Sequence, residues 1–273
     1  ALERPDAGYR RLAGEMVDRD IAYLSESSVY RILSENNLLY RWARPSSSGN
    51  RPEAPTAPNQ RWHTDIMHLR VGDVWYFLVT FLDAYSRYIV HWELLTTMKK
   101  EDITLATLAA LEKFPTATPE VVSDRGCQYT SKEFRKLVAK FEINHILCRV
   151  AHPQSNGLIE RYHRTTREAI AKNPPGNLSS ARRLIGEWVD EYNEVRLHAG
   201  LKYIEPAEFF RGDPKLRMAA RRNKLDAARS ARTRANARQR AMSELPTVGV
   251  SAPTSLVPIL AELPPMDNSC PAV

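Results

Sequence analysis

Apolar positions change their spacing near residue 60, and the change divides the chain. Over residues 9–39 they follow helical intervals, with Leu12, Met16 and Val17 in one group and Val29, Ile32 and Leu33 in another. Between the groups lies Leu24-Ser25-Glu26-Ser27-Ser28, where Ser25 or Ser27 can cap the second helix by accepting a hydrogen bond from an unpaired backbone N–H. Two short helices and a tight turn predict a helix-turn-helix within residues 1–42, its second helix offering Ser27, Ser28 and Arg31 to a major groove. An ordinary helical hairpin fits the same pattern about as well. Residues 43–60 then hold Pro45, Pro52, Pro55 and Pro58 among Ser, Gly, Ala and Asn, the composition of an extended linker.

Past the linker the pattern becomes strand-like. Residues 63–71, 75–82 and 88–95 predict three strands whose short connections make them antiparallel neighbours. Residues 100–114 predict a helix with Ile103, Leu105, Leu108 and Leu111 apolar and Pro115 as its stop. A fourth strand (120–123), a helix (130–141) and a fifth strand (143–150) follow, and Thr130-Ser131-Lys132-Glu133 offers a capping box at the helix start. Together these predict an α/β core with a mixed five-stranded sheet and helices on its faces. Residues 178–193 make a further amphipathic helix through Leu184, Ile185, Trp188 and Tyr192. The resulting division is a helix-turn-helix module (1–42), linker (43–60), core (61–175), helical extension (176–215), basic arm (216–242) and Pro-rich, disordered tail (243–273).

Charge singles out the arm. The chain carries a net +7, yet residues 216–242 hold nine Arg and Lys against one acid, Asp226, so everything else is about neutral. Such concentration predicts an electrostatic arm for nucleic acid, with Arg221, Arg222, Arg229, Arg232 and Arg234 as candidate contacts. Few bulky apolar residues hold this segment down, so DNA or a neighbouring subunit is expected to order it. The three cysteines, Cys127, Cys148 and Cys270, have no paired spacing, which argues against a disulfide framework and a Cys-based zinc site and fits a reducing cytoplasm. Neither a membrane-spanning run nor a signal-peptide pattern is present. Because the sequence opens on Ala1, a fragment or the product of a larger reading frame is expected.

Three acids stand out by their settings: Asp65 in Trp62-His63-Thr64-Asp65-Ile66, Asp124 in Val121-Val122-Ser123-Asp124-Arg125-Gly126, and Glu160 in Asn156-Gly157-Leu158-Ile159-Glu160-Arg161. Asp65 falls mid-strand and Asp124 at the carboxyl end of the fourth strand, so adjacent strands would bring both to one end of the sheet. Gly126 suits a sharp turn after Asp124, since glycine tolerates positive φ there. On a helical wheel Leu158, Ile159, Tyr162, Thr166, Ala169 and Ile170 share one arc, while Glu160, Arg164, Arg167 and Ala171 share another. That places a carboxylate beside two cations suited to gripping phosphate. Singly, each acid reads more readily as a solvated surface residue. Asp73 reads as a hairpin-turn residue, Asp83 as a turn cap or ion-pair partner, and His63 and His152 as hydrogen-bonding or DNA-contacting rather than ligands for a hard cation.

As a set, the three motifs, the last beginning at His152-Pro153-Gln154, resemble the catalytic core of retroviral-type integrases and bacterial insertion-sequence transposases. Thirty-five residues separate Asp124 from Glu160, the spacing of that superfamily's Asp, Asp-35-Glu pattern. The likeness runs over residues 61–172 and continues through Tyr192-Asn193-Glu194-Val195-Arg196-Leu197-His198 to Pro206. It implies a ribonuclease-H-like fold in which Asp65, Asp124 and Glu160 bind two Mg²⁺ or Mn²⁺ ions for DNA cleavage and strand transfer without ATP. It also implies a homo-oligomer on paired double-stranded transposon ends, nucleoid-associated in a bacterial cytoplasm, with Arg164, Arg167, Gln154 and Asn156 near the DNA. No membrane or small-molecule partner is expected. Residues 1–60 contain neither His nor Cys, so the zinc domain of retroviral integrases is not expected, and the transposase branch, with a helix-turn-helix there, is. Cys127 reads as a packing or turn residue. The alternatives are a ribonuclease-H-type nuclease and a non-catalytic, transposon-derived DNA-binding regulator.

Overall fold

One mixed sheet organises the core: β1 (Arg61–Val71), β2 (Val74–Asp83), β3 (Ile89–Leu95), β4 (Glu120–Ser123) and β5 (His145–Leu147) lie in the order β3-β2-β1-β4-β5. The computed structural model describes residues 7–36, 38–39, 54–148 and 157–243. Of these, residues up to Ala228 make one compact unit and those from Arg229 onward another. β1, β2 and β3 pair antiparallel, as their short connections require, and β4 and β5 join in parallel after helical crossovers. Gly72, at φ +57°, closes the first hairpin where a side chain would strain the backbone, and Asp73 beside it pairs with Arg70 at 2.9 Å.

Strand alternation sends the apolar side chains to two cores. Met67, Leu69 and Val71 of β1 face α5 (Gly157–Lys172) and α6 (Leu178–Glu194), meeting Ile159, Tyr162, Ile185 and Trp188. Trp62, Val79, Phe81 and Val121 belong to the opposite core with α3 (Lys100–Glu112) and α4 (Lys132–Lys140). In α3 the buried stripe is Ile103, Ala106, Thr107, Ala110 and Leu111; Leu105, expected in the apolar set, sits half a turn away and is exposed. The Asn193 amide both accepts from Ile89 N–H at 2.8 Å and donates to its carbonyl at 3.2 Å, fastening α6 to β3 beside a β-bulge.

One local detail corrects the sequence expectations and another bears one out. The α4 cap is Ser131, whose hydroxyl accepts from Phe134 N–H; the box from Thr130 to Glu133 does not form because the helix starts one residue later. Asp83 is fully buried as a turn cap, accepting from the Asn59 and Ser86 N–H groups at 2.8 Å and the Ser86 hydroxyl at 2.6 Å. Burial pushes its carboxyl above the ordinary range despite those bonds.

The N-terminal helices α1 (Tyr9–Asp18) and α2 (Glu26–Glu35) pack through Leu12, Ala13, Val29 and Leu33, with Ser25 capping α2. Ile32, grouped with Val29 and Leu33 by spacing, is exposed. After α7 (Pro206–Arg211) comes the long α8 (Pro214–Ser243), whose first turns are held by α1: Asp18 receives Arg221 at 2.5 Å and Arg217 at 3.2 Å, and Asp20 receives Lys224 at 2.5 Å. The start of the arm is therefore ordered by the protein itself, contrary to expectation. Among the described residues no helix is long and apolar enough to cross a membrane. Most of the expected linker and nearly all of the expected tail lie outside the described residues.

Candidate active site

Strand pairing runs toward the two aspartates. β1 and β4 run parallel, and their last pair, His63 opposite Val122, lies two residues before Asp65 on one strand and Asp124 on the other. Asp124 is the first residue past β4, and the alternation that sends Met67 toward α5 points Asp65 the same way. There Asp65 Oδ2 meets His163 Nδ1 of α5 at 3.3 Å. Glu160, one turn earlier on the same helix, is exposed in the first turn, where a helix N-terminus favours a carboxylate.

Packing rather than polar bonding places α5. Ile159 and Tyr162 are buried to within 1% of full exclusion, and each side chain so buried contributes about 1.5–3 kcal/mol. A single hydrogen bond contributes about 1 kcal/mol. The Asp65–His163 bond therefore orients side chains on an element already positioned.

Gly126 acts by room rather than by backbone freedom. Among the described glycines only Gly72 has positive φ, so the left-handed turn that glycine would tolerate at Gly126 does not occur. A Cβ on Gly126 would instead lie 3.0 Å from Asp124 Oδ1 and 2.8 Å from Gln128 Oε1. Its N–H donates to the same Asp124 oxygen at 2.9 Å. Glycine thus lets the backbone close on the carboxylate and hold it.

Electrostatics links the three acids. Burial pushes the Cys148 thiol up, and Asp124, Asp65 and Glu160 all add to the rise, so one thiol just past the end of β5 lies within reach of all three charges. Tyr129, buried and sharing a 3.0 Å hydrogen bond with Thr64, is also pushed up by burial, with Asp65 and Asp124 adding to it. Among the described residues no three His, Cys, Asp or Glu side chains already enclose a metal-sized space. The donor set of the three acids, carboxylate oxygens alone, fits Mg²⁺ or Mn²⁺ better than softer ions.

Other expected residues vary in placement. Arg164 and Arg167 are exposed on α5, on the arc of Glu160. Ser27 and Arg31 are exposed on α2, but Ser28 is half-buried, its hydroxyl 2.9 Å from that of Ser25, so it serves the helix cap. Arg221 is a clear departure: it is tied to Asp18 and to the carbonyls of Lys202 and Tyr203 and is taken up by the protein rather than offered to DNA. Arg222, Arg229, Arg232 and Arg234 lie on the outer surface of α8. Gln154, Asn156 and His152 lie outside the described residues. Cys127 is exposed in the turn after Asp124, which leaves the turn reading and removes the packing one. His163 was absent from the expected set, although on the wheel it falls within the apolar arc of Ile159, Tyr162, Thr166 and Ile170. A polar residue in that arc was the available signal.

Known proteins match the same stretch. Two family models, each described as Integrase core domain, match residues 55–153 and 142–206. An insertion element IS136 protein of Agrobacterium fabrum is 31% identical over 163 residues, covering 56% of this chain and 83% of that protein. The transposase for insertion sequence element IS904 of Lactococcus lactis is 28% identical over 157 residues, and the chain spans 62% of its length. In fold, a chain of the simian T-cell lymphotropic virus intasome solved with PP2A regulatory subunit B56 gamma aligns at a TM-score of 0.53 and 16% identity, covering 68% of this chain and 66% of that one. Sheet order, flanking helices, matched residues and relatives agree, and the chain belongs to the integrase-core family of bacterial insertion-sequence transposases.

Proposed function

We propose that this transposase cuts and rejoins DNA at the ends of its insertion sequence with divalent ions held by Asp65, Asp124 and Glu160. Two such ions, when bound, supply Lewis acidity that activates an attacking water or 3′-hydroxyl and stabilises the departing oxygen. The chain's own residues do the positioning. Asp65 is held on one oxygen by His163 and Asp124 on one oxygen by Gly126 N–H, so each carboxylate is oriented before any ligand arrives. Glu160 comes in on α5 together with Arg164 and Arg167, whose guanidiniums suit bidentate contact with phosphate on either side of the reacting bond. No side chain serves as nucleophile, and the exposed Cys127 takes no part. The α2 face carrying Ser27 and Arg31 reads the element's ends, and the exposed arginines of α8 contact backbone phosphate, with two or more copies joined on paired ends.

The observation that supports this reading is the β1–β4 register, whose last pair lies two residues before Asp65 and Asp124, together with the contact of Asp65 with His163 on the helix of Glu160. Purified protein with labelled insertion-sequence ends is expected to nick and join DNA in Mg²⁺ or Mn²⁺, and Asp124→Asn to reduce both to background. Full activity in that variant would remove the mechanism.

A further inference from the structure

Two buried side chains of α5, Tyr162 and His163, carry a polar atom without a hydrogen-bond partner among the described residues, and of these His163 is the one that meets Asp65. It is 3% exposed, its Nδ1 lies 3.3 Å from Asp65 Oδ2, and its Nε2 has no hydrogen-bond partner among the described residues. A nitrogen buried without a partner carries a desolvation penalty of about 1–3 kcal/mol, which an apolar residue in the same arc would avoid. Ile159 and Ile170 occupy that arc without such a penalty. Packing alone therefore gives no reason for a histidine here; the contact with Asp65 does.

We propose that His163 is a positioning residue for the ion site, fixing the Asp65 carboxylate from the helix that carries Glu160. This rests on the reading of Asp65, Asp124 and Glu160 as ion ligands. A carboxylate accepts but cannot donate, so the Nδ1 that faces it supplies the proton of that contact. One Asp65 oxygen is thereby occupied and the side chain limited to rotamers that present the other. Asp124 is treated alike by Gly126 N–H, so two acids on neighbouring strands are each pinned through a single oxygen. His163 differs from Gly126 in standing one turn after Glu160, so the contact holds Asp65 from the same packed helix that carries the third acid. Outer partners of this kind typically change metal affinity or activity by about 10–100-fold when removed.

Mn²⁺ uptake by the full chain, followed by the electron paramagnetic resonance of the free ion, tests this without reference to turnover. His163→Phe keeps a ring of similar size and removes the donor; His163→Gln keeps a donor on a flexible stem. We expect His163→Phe to bind Mn²⁺ about 10–100-fold more weakly, to regain strand transfer as Mn²⁺ is raised, and to bind end DNA as the wild type does in metal-free buffer. His163→Gln should fall between the two. A lowered melting temperature with an unchanged Mn²⁺ midpoint would overturn the proposal, because that is what a packing residue does. Failure of both variants to fold would overturn it on the same ground. Uptake by the wild type that Asp65→Asn abolishes but His163→Phe leaves intact would defeat the role of His163 alone. Absence of uptake by the wild type would defeat the ion site itself.

Discussion

At the scale of single residues, the candidate site depends on small groups holding carboxylates. Gly126→Ala places a Cβ 3.0 Å from Asp124 Oδ1, tighter than ordinary contact, and the Gln128 side-chain end on its other side can swing away. The acid must then shift. We expect about a tenfold fall in strand-transfer rate, equivalent to about 1.4 kcal/mol in the barrier, with the melting temperature little changed because the turn is exposed. An unaltered rate would show that the Asp124 orientation does not matter. The settings and spacing that single out the three acids are visible in the sequence, whereas the groups that contact Asp65 and Asp124 are not. Gly126 looked like a residue suited to positive φ, since sequence gives no means of telling backbone freedom from shortage of room. His163 was hidden by its partner, Asp65, which lies 98 positions earlier and meets it only across the packed faces of β1 and α5.

At the scale of elements, periodicity located every helix and strand of the core but misassigned edges of apolar stripes. Ile32 and Leu105 are apolar by type and exposed by angle; in α3, small residues such as Ala106 and Ala110 let the helix approach the sheet without Leu105. The larger surprise is the first part of α8, where Asp18 gathers Arg217 and Arg221. Burial pushes the Asp18 carboxyl up, but the hydrogen bonds and charge of Arg221, aided by Arg217, more than offset this and hold it below the ordinary range. A carboxyl depressed in the folded state stabilises above its unfolded pKa, near 4, and that contribution is lost as pH falls through the folded value. Asp18→Asn is expected to destabilise by about 1–3 kcal/mol at pH 7, and the gap from wild type to close in more acidic solution. Denaturant melts at the two pH values would check this; a gap that persists unchanged in acid would mean that charge is not what binds α8 to α1.

At the scale of the whole molecule, the mixed sheet was legible because strand and helix periods differ so plainly on either side of residue 60. The fate of the basic segment was not, since composition cannot distinguish arginines that pair with Asp18 from those left exposed further along. The exposed stretch carries Arg229, Arg232, Arg234, Arg238 and Arg240, and truncation before Arg229 leaves the ion pairs of α1 intact. For every phosphate that these arginines neutralise, truncation should lower the slope of log affinity against log salt by about 0.9. The shortened protein should therefore show a flatter salt dependence on duplex DNA; an identical slope would mean that this stretch does not touch phosphate. The central claim, that Asp65, Asp124 and Glu160 form one ion site, is tested most directly by anomalous diffraction from Mn²⁺-soaked crystals. The account predicts Mn²⁺ peaks about 2.0–2.6 Å from oxygens of all three residues. Peaks bound elsewhere, with any of the three acids left outside the coordination shell, would contradict it.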